Sequence, residues 1–527
     1  MSQYLSRFST RPAALVLALV LMVWGFWSAP LYDLDEGAFT EATREMLASG
    51  NYASIYLNGA PRHDKPILIY WLQAASAKLF GLNEFSLRLP SVLAALAWVW
   101  ALFAFVRRQV DRETAFVAAL LLSLSLYVGL IARAAVADAL LNLFLALTMF
   151  DIYRYWKQPA RGLHLRIFLW LGLGFLAKGP VAVFFPLLVS GLFYVSLGAW
   201  RDWLRAVFHW PGIALFLAIV LPWHIAVYLD TGWAFFEGFY LHHNLDRYNG
   251  AMEGHGGSLL YFAAVAPLVV MPLAGWLVAT LRRLPEARRD PLDRFAWLWF
   301  FCVLLFFSFS ATKLPHYLLY GIIGALIPMA RYRGNLRRTW PHFLPVFILM
   351  ALFALLPQAL DWAAGQTDRL YELTLFREGT ARFSGTPQWL LTAALVLLAG
   401  VALLRLPVWQ RLLLAGFVQG AAVAFIVLPG VMGVLQDGPR AAGLLARAQG
   451  KSVVFYRVHQ PSVSVYAQQV SPRLRDPAAL RPGQWVYLRI DKLDDFLSLP
   501  LPWERRVVFR QGPAVLVAIE ARESGDG

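Results

Sequence analysis

Long apolar runs separated by short charged loops fill the first 430 residues of the chain. A helix that crosses the hydrocarbon core of a bilayer needs about 20 mostly apolar residues. The pattern predicts spans near 12–29, 87–106, 114–131, 134–152, 165–177, 179–198, 208–228, 259–281, 295–310, 315–330, 341–358, 389–404 and 412–430, thirteen in all. Residues 67–80 are apolar but short, which predicts an interfacial segment. From about residue 437 the pattern changes. Residues 452–458, 484–490, 506–511 and 514–520 read as β-strands, and 442–449 and 493–499 as helices. The expected architecture is a mainly α, polytopic membrane protein. It has a transmembrane part over 1–436 and a small α/β domain over 437–527.

Loop charge sets the expected orientation. One set of loops carries Arg107, Arg108 and Arg112; Arg154, Lys157, Arg161 and Arg166; Arg201 and Arg205; Arg282, Arg283, Arg288, Arg289 and Arg294; Arg331, Arg333, Arg337 and Arg338; and Arg405 and Arg411. The intervening loops are poorer in cations, so the basic set should face the cytoplasm. The N-terminus, with Arg7 and Arg11, then lies inside, and an odd number of spans puts the C-terminal domain outside. The first apolar stretch lacks a small-x-small cleavage site and reads as a retained anchor. In this setting the net charge of +15 reflects basic loops facing anionic lipid rather than a nucleic-acid partner. Of 527 residues, 59% are hydrophobic and 15% charged, which excludes a soluble or disordered chain, since soluble domains carry about 25% charge. The lone Cys302 excludes an intramolecular disulfide and a multi-cysteine metal site.

The chemistry gathers on the outer side. After the first span comes LYDLDEGAFTEATREMLASGNY, residues 31–52. Its 36–50 stretch reads as an amphipathic helix along the membrane surface, with Ala38, Phe39, Ala42, Met46 and Leu47 toward lipid and Glu41, Arg44 and Glu45 toward water. Asp33, Asp35 and Glu36 precede it, as helix-capping acids or as reactive carboxylates. Arg62, His63, Asp64 and Lys65 form a compact charged cluster suited to a lipid phosphate, with snorkelling as the alternative. Asp138, at the outer end of a span with Asn142 one turn on, is a functional candidate because an intramembrane carboxylate is costly, unless it simply pairs with Arg133. Lys178 stands in the tight outer turn AKGP. Another outer loop brings His242, His243, Asp246, Arg247, Glu253 and His255, and SATKLPHY brings Lys313, His316 and Tyr317. Metal binding by the adjacent histidines would need a partner from elsewhere, such as Asp64. Charge from six segments on one membrane face predicts a single outward cavity for an amphiphile with a charged head. A transporter would instead carry its charge at the bilayer midplane. No glycine-rich nucleotide loop appears, so no nucleotide cofactor is expected.

The order of Asp35-Glu36, EATREMLASGNY, DKPILIYWL, AKGPVAVFFP, HHNLDRY and FFSFSATKLPHY resembles the GT-C integral-membrane glycosyltransferases of the protein O-mannosyltransferase-like superfamily, in particular the lipid A aminoarabinose transferases. The resemblance spans about the first 330 residues. It implies transfer of a sugar from a polyprenyl (undecaprenyl) phosphate to an extracytoplasmic acceptor at a bacterial inner membrane, with lipid A or another cell-surface glycan as acceptor. The sugar of the closest-looking family is 4-amino-4-deoxy-L-arabinose; a hexose or amino-hexose is the alternative, and a lipid-linked sugar transporter the alternative outside enzymes. The implied catalytic acids are Asp35, Glu36 and Asp138. The implied lipid-phosphate cations are Arg62, Lys65, Lys178, Arg247 and Lys313. Asp64, His242 and His243 match a metal-associated set, for a divalent ion such as Zn or Mg. Two positions depart from the aminoarabinose enzymes. Gly37-Ala38-Phe39 replaces Thr-Arg-Tyr, and Asp64-Lys65-Pro66 replaces Glu-Lys-Pro.

Overall fold

At a few helix starts a side chain takes up free N–H groups. Asn83 and Ser86 form a reciprocal capping box at the start of Glu84–Gln109, Asp111 caps Arg112–Leu124, and Asp290 caps Pro291–Phe309. The computed structural model describes residues 12–246 and 257–521. The candidates Arg7, Arg11, Arg247, Glu253 and His255 lie outside the described residues. Among those described, five helices are long and apolar enough to cross a membrane: Glu84–Gln109, Trp210–Thr231, Pro291–Phe309, Thr386–Leu403 and Val408–Ala448. Two bent pairs, Arg112–Leu124 with Leu126–Ala132 and Trp340–Ala354 with Leu356–Ala364, bring this to seven if each is one span. The protein is thus mostly helical and multi-pass. The thirteen spans read from the sequence include shorter helices such as Pro12–Val23 and Val181–Ser196, which fall below that length. The expected span 259–281 is two short helices, Tyr261–Val269 and Ala274–Leu281, separated at Pro272, where the chain loses an N–H donor.

The helix after the first span forms as expected, over Asp35–Ser49, and ends at Gly50 in the left-handed conformation. Its surroundings differ from the expectation. Every residue from Glu36 to Met46 is buried, so neither face meets lipid or water. Phe39 stacks on Tyr70 at 5.4 Å, and Thr43 donates to Gln73, both on the Leu68–Phe80 helix. The polar side is covered by protein too, where Glu41 pairs with Arg44 and Glu45 accepts from the Gly59 amide. Gly59 belongs to a hairpin of β1 (Tyr56–Leu57) and β2 (Ala60–Pro61). Amphipathicity here matches an apolar protein neighbour on one side and a polar one on the other.

No linker appears at residue 437. The helix that begins at Val408 continues to Ala448, carrying Asp437, Gly438 and Pro439 within it. The expected helix 442–449 is the end of this rod. Beyond it, β3 (Val453–Phe455), β4 (Trp485–Arg489), β5 (Glu504–Gln511) and β6 (Ala514–Glu520) form a sheet in the order β3-β4-β6-β5. Only the β3–β4 pair is parallel. One face of the sheet packs Val454, Val486, Leu488 and Val515 against Phe496. The other packs Phe455, Tyr487 and Leu516 against Ala442 and Ala446 of the rod. Alternation along each strand supplies both faces. A further helix, Leu370–Phe383, has mixed polarity and escaped the apolar pattern.

Candidate functional site

The first outer loop places neighbouring acids in opposite circumstances. Glu36 is buried, and each of its oxygens accepts two hydrogen bonds. Arg88 Nε and the Ala135 amide bond one oxygen at 2.6 and 2.8 Å, and Arg88 Nη2 and the Tyr32 amide bond the other at 2.7 and 2.8 Å. Arg88 also donates to the carbonyls of Phe26, Ala29 and Pro30. Glu36, expected among the catalytic acids, is therefore fully occupied in tying the first loop to the Glu84–Gln109 helix and to the segment before Asp138. Asp35 is not tied down in this way. It is exposed, lines a cavity, and carries no hydrogen bond or ion pair among the described residues. Arg88 went unnoticed in the sequence because it sits inside an apolar run; the available signal was a cation within a span.

Two cavities of about 450 Å³ each meet at this face. The first holds Asp35 and Glu36 together with Tyr32, Arg88, Arg133 and Asp138. The second holds Asp64 and His243 amid Phe184, Phe239, Phe306 and Phe307, and Phe184 is 39% exposed. Lys65, Lys178 and Tyr317 line both, so two ammonium groups stand in the shared wall.

Lys178 ends the Arg161–Lys178 helix, and its Nζ lies 2.5 Å from the Asp138 carboxylate at the start of Asp138–Lys157. Tyr320 donates to the same oxygen at 3.0 Å, and His316 Nε2 lies 3.8 Å from it. The partner of Asp138 is thus Lys178, not Arg133. Arg133 instead donates to the carbonyls of Leu21 and Met22, the orphan acceptors at a helix C-terminus. Tyr320 was not foreseen, since nothing marks it in an apolar run. Asn142 donates to the Asp138 carbonyl within their own helix.

In the 62–65 cluster, Arg62 forks onto Asp64 at 2.6 and 3.1 Å, and Lys65 Nζ lies 3.3 Å from it. Burial alone would raise the Asp64 carboxyl, but Lys65 and Arg62 hold it well below the usual carboxylate range. Arg62 also stacks over Phe39 at 5.1 Å and lines neither cavity. Lys313, expected at the lipid phosphate, is buried and donates to the carbonyls of Ser308 and Ser310 at 2.8 Å. It caps the Pro291–Phe309 helix. His242 Nε2 lies 3.9 Å from Glu237, while His243 reaches the cavity that holds Asp64. Among the described residues no three His, Cys, Asp or Glu side chains are grouped to hold a metal ion. With the Asp64 oxygens engaged by Arg62 and Lys65, the described residues do not make a fitted metal set.

Residues 64–225 match the family model described as dolichyl-phosphate-mannose-protein mannosyltransferase, a stretch holding Asp64, Lys65, Asp138 and Lys178. An uncharacterized protein of Aquifex aeolicus is 29% identical over 64% of this chain and 76% of its own length. The undecaprenyl phosphate-α-4-amino-4-deoxy-L-arabinose arabinosyl transferase 1 of Pseudomonas fluorescens Pf-5 is 29% identical over 60% of this chain. The match spans 59% of that protein's own length. The crystal structure of ArnT from Cupriavidus metallidurans bound to undecaprenyl phosphate superposes with a TM-score of 0.77 at 21% identity, covering 96% of each chain. The resemblance read from the sequence stands as a likeness: residues 64–225 are similar to that mannosyltransferase family, and the fold is that of the ArnT structure. Its relatives include proteins named as undecaprenyl-phosphate aminoarabinose transferases.

Proposed function

We propose that the protein transfers a sugar from an undecaprenyl-phosphate donor to an acceptor on the outer face of a bacterial inner membrane, and that the reaction is 4-amino-4-deoxy-L-arabinose transfer to a lipid A phosphate. The observation that carries this is the wall shared by the two cavities, where Lys65 and Lys178 stand between an aromatic chamber and one holding Asp35. The aromatic chamber suits the end of a polyprenyl chain, and its phosphate would meet the two ammonium groups. The acceptor would enter beside Asp35. Attack of an acceptor oxygen on the anomeric carbon breaks the bond to the donor phosphate, which leaves with the bonding electrons. Lys65 and Lys178 offset the charge that grows on it. A lipid A phosphate is already anionic and needs only to be oriented. A hydroxyl acceptor would give its proton to Asp35. Asp138, with Tyr320, holds Lys178 in place.

A second reading, transfer of a hexose, draws on the family match named for mannosyl transfer. Mass spectrometry of lipid A from cells with and without the chain separates them. A pentosamine-sized addition that depends on the chain is expected. Unchanged lipid A, with a different lipid-linked sugar accumulating in its absence, would favour the second reading. No accumulation in either strain would contradict transfer altogether.

A further inference from the structure

The C-terminal sheet stands apart from the cavities, yet one short helix beside it reaches the first outer loop. All seven residues of Pro461–Ala467 are buried, and they pack against the Asp35–Ser49 helix as well as the long rod. The Ser462 amide donates to one oxygen of Asp33 at 3.0 Å, and the Ser462 hydroxyl donates to the other. Asp33 lies two residues before Asp35. The contact is tight enough to dictate the next turn of chain. A β-carbon at Gly37 would lie 1.9 Å from the Asp33 carboxylate and 2.9 Å from the Ser462 amide nitrogen, closer than any side chain tolerates. Glycine at 37 is what lets the C-terminal helix close on this loop.

The same helix grips the loop at two more points. Tyr466 accepts from the Leu31 amide at 2.7 Å and donates to Glu84 at 3.1 Å. Asn58 donates to the Ser464 hydroxyl and the Ser471 carbonyl, both at 2.8 Å. A small apolar cluster joins Val465 and Tyr466 to Leu31, Leu87 and Ala135. Ala135 also donates to Glu36 and lies three residues before Asp138. The segments that carry Asp35 and Asp138 are therefore both anchored on residues 461–471.

We infer that the C-terminal unit completes the reaction centre, with Ser462 and Asp33 as positioning residues that set where Asp35 stands. The inference rests on Asp35 being the group beside which the acceptor is held in the proposed reaction. Neither residue lines either cavity, so both act through the backbone between 33 and 37. Misplacing a reactive group by about 1 Å costs on the order of 10²-fold in rate, and neither Ser462 nor Asp33 stands in the wall that carries Lys65 and Lys178.

The test uses the full-length protein in detergent, with undecaprenyl-phosphate aminoarabinose as donor and purified lipid A as acceptor. Ser462→Ala and Asp33→Asn should each lower kcat by about 10- to 100-fold while leaving the donor KM near that of the wild type. The double variant should lose no more than the worse single one, because both remove one contact. Ser462→Thr, which keeps the hydroxyl, should recover most of the rate. Size-exclusion profiles check that each variant is folded. If Ser462→Ala does not yield folded protein, Tyr466→Phe loses a single hydroxyl at the same junction, and a lowered kcat is again expected. Wild-type kcat in the folded variants would overturn the inference. So would a change confined to donor KM. If the wild-type protein itself transfers nothing to any acceptor, the proposed function fails, and that outcome is distinct from a wild type and variants that work equally well.

Discussion

Asp35 and Glu36 are adjacent in sequence and differ in what surrounds them. Glu36 is closed off by Arg88 and two amides, with both side chains 3% exposed. Breaking a buried pair by removing one charge is costly, because the other is left without compensation. Glu36→Gln should therefore cost about 3–5 kcal/mol of stability, read as a lower melting temperature in detergent. Adding Arg88→Met should restore part of the loss, since the stranded cation is then gone as well. A single variant as stable as the wild type would refute the structural role of Glu36. Asp35 has no such partners, so its substitution should leave the melting temperature unchanged.

The contact between Asp33 and the Pro461–Ala467 helix has a pH signature at the scale of an element. Burial pushes the Asp33 carboxyl up to about 7, against the lowering effect of its hydrogen bonds to Ser462. A carboxyl whose folded value is raised favours folding in its protonated form. That contribution is full below the ordinary value near 3.8 and is lost as pH rises through about 7. His459, just before the same helix, is pushed down to about 4 by burial, with Arg473 and Arg62 adding to the effect. Its contribution has the opposite sign: present above about 6.5 and lost as pH falls through about 4. Subtracting the melting profile of Asp33→Asn from that of the wild type isolates the first effect. The difference should decline between pH 4 and 8; a flat difference would contradict it. The sequence showed the helix that follows Asp35 and the strands of the C-terminal sheet, because a local period reports which face of an element is buried. It read Gly438 and Pro439 as a break, where tertiary packing holds these ordinary turn residues in a helix. It could not show that Ser462 meets Asp33, or that Arg88 meets Glu36. Such partners are set by the path of the whole chain and leave no periodic trace. Among the charged candidates, residue type alone did not separate Lys65 and Lys178 at the cavity wall from Lys313 at a helix end.

Across the whole molecule, the account requires both cavities and the C-terminal unit to lie on the outer side of the membrane, with the arginine-rich loops inside. In a Cys302→Ser background, Asp494→Cys should react with a membrane-impermeant thiol reagent in intact spheroplasts, and Asp202→Cys only after lysis; both positions are exposed. The reverse pattern would invert the orientation. The central claim is that Asp35, free in a cavity bordered by Lys65 and Lys178, takes part in glycosyl transfer. The most direct measurement is the transfer rate of purified Asp35→Asn against the wild type, with undecaprenyl-phosphate aminoarabinose and lipid A as substrates and donor binding followed in parallel. The account predicts a kcat lower by about 10²-fold, the cost of an acceptor no longer held in place, with donor binding retained. Transfer at a near-normal rate would contradict it.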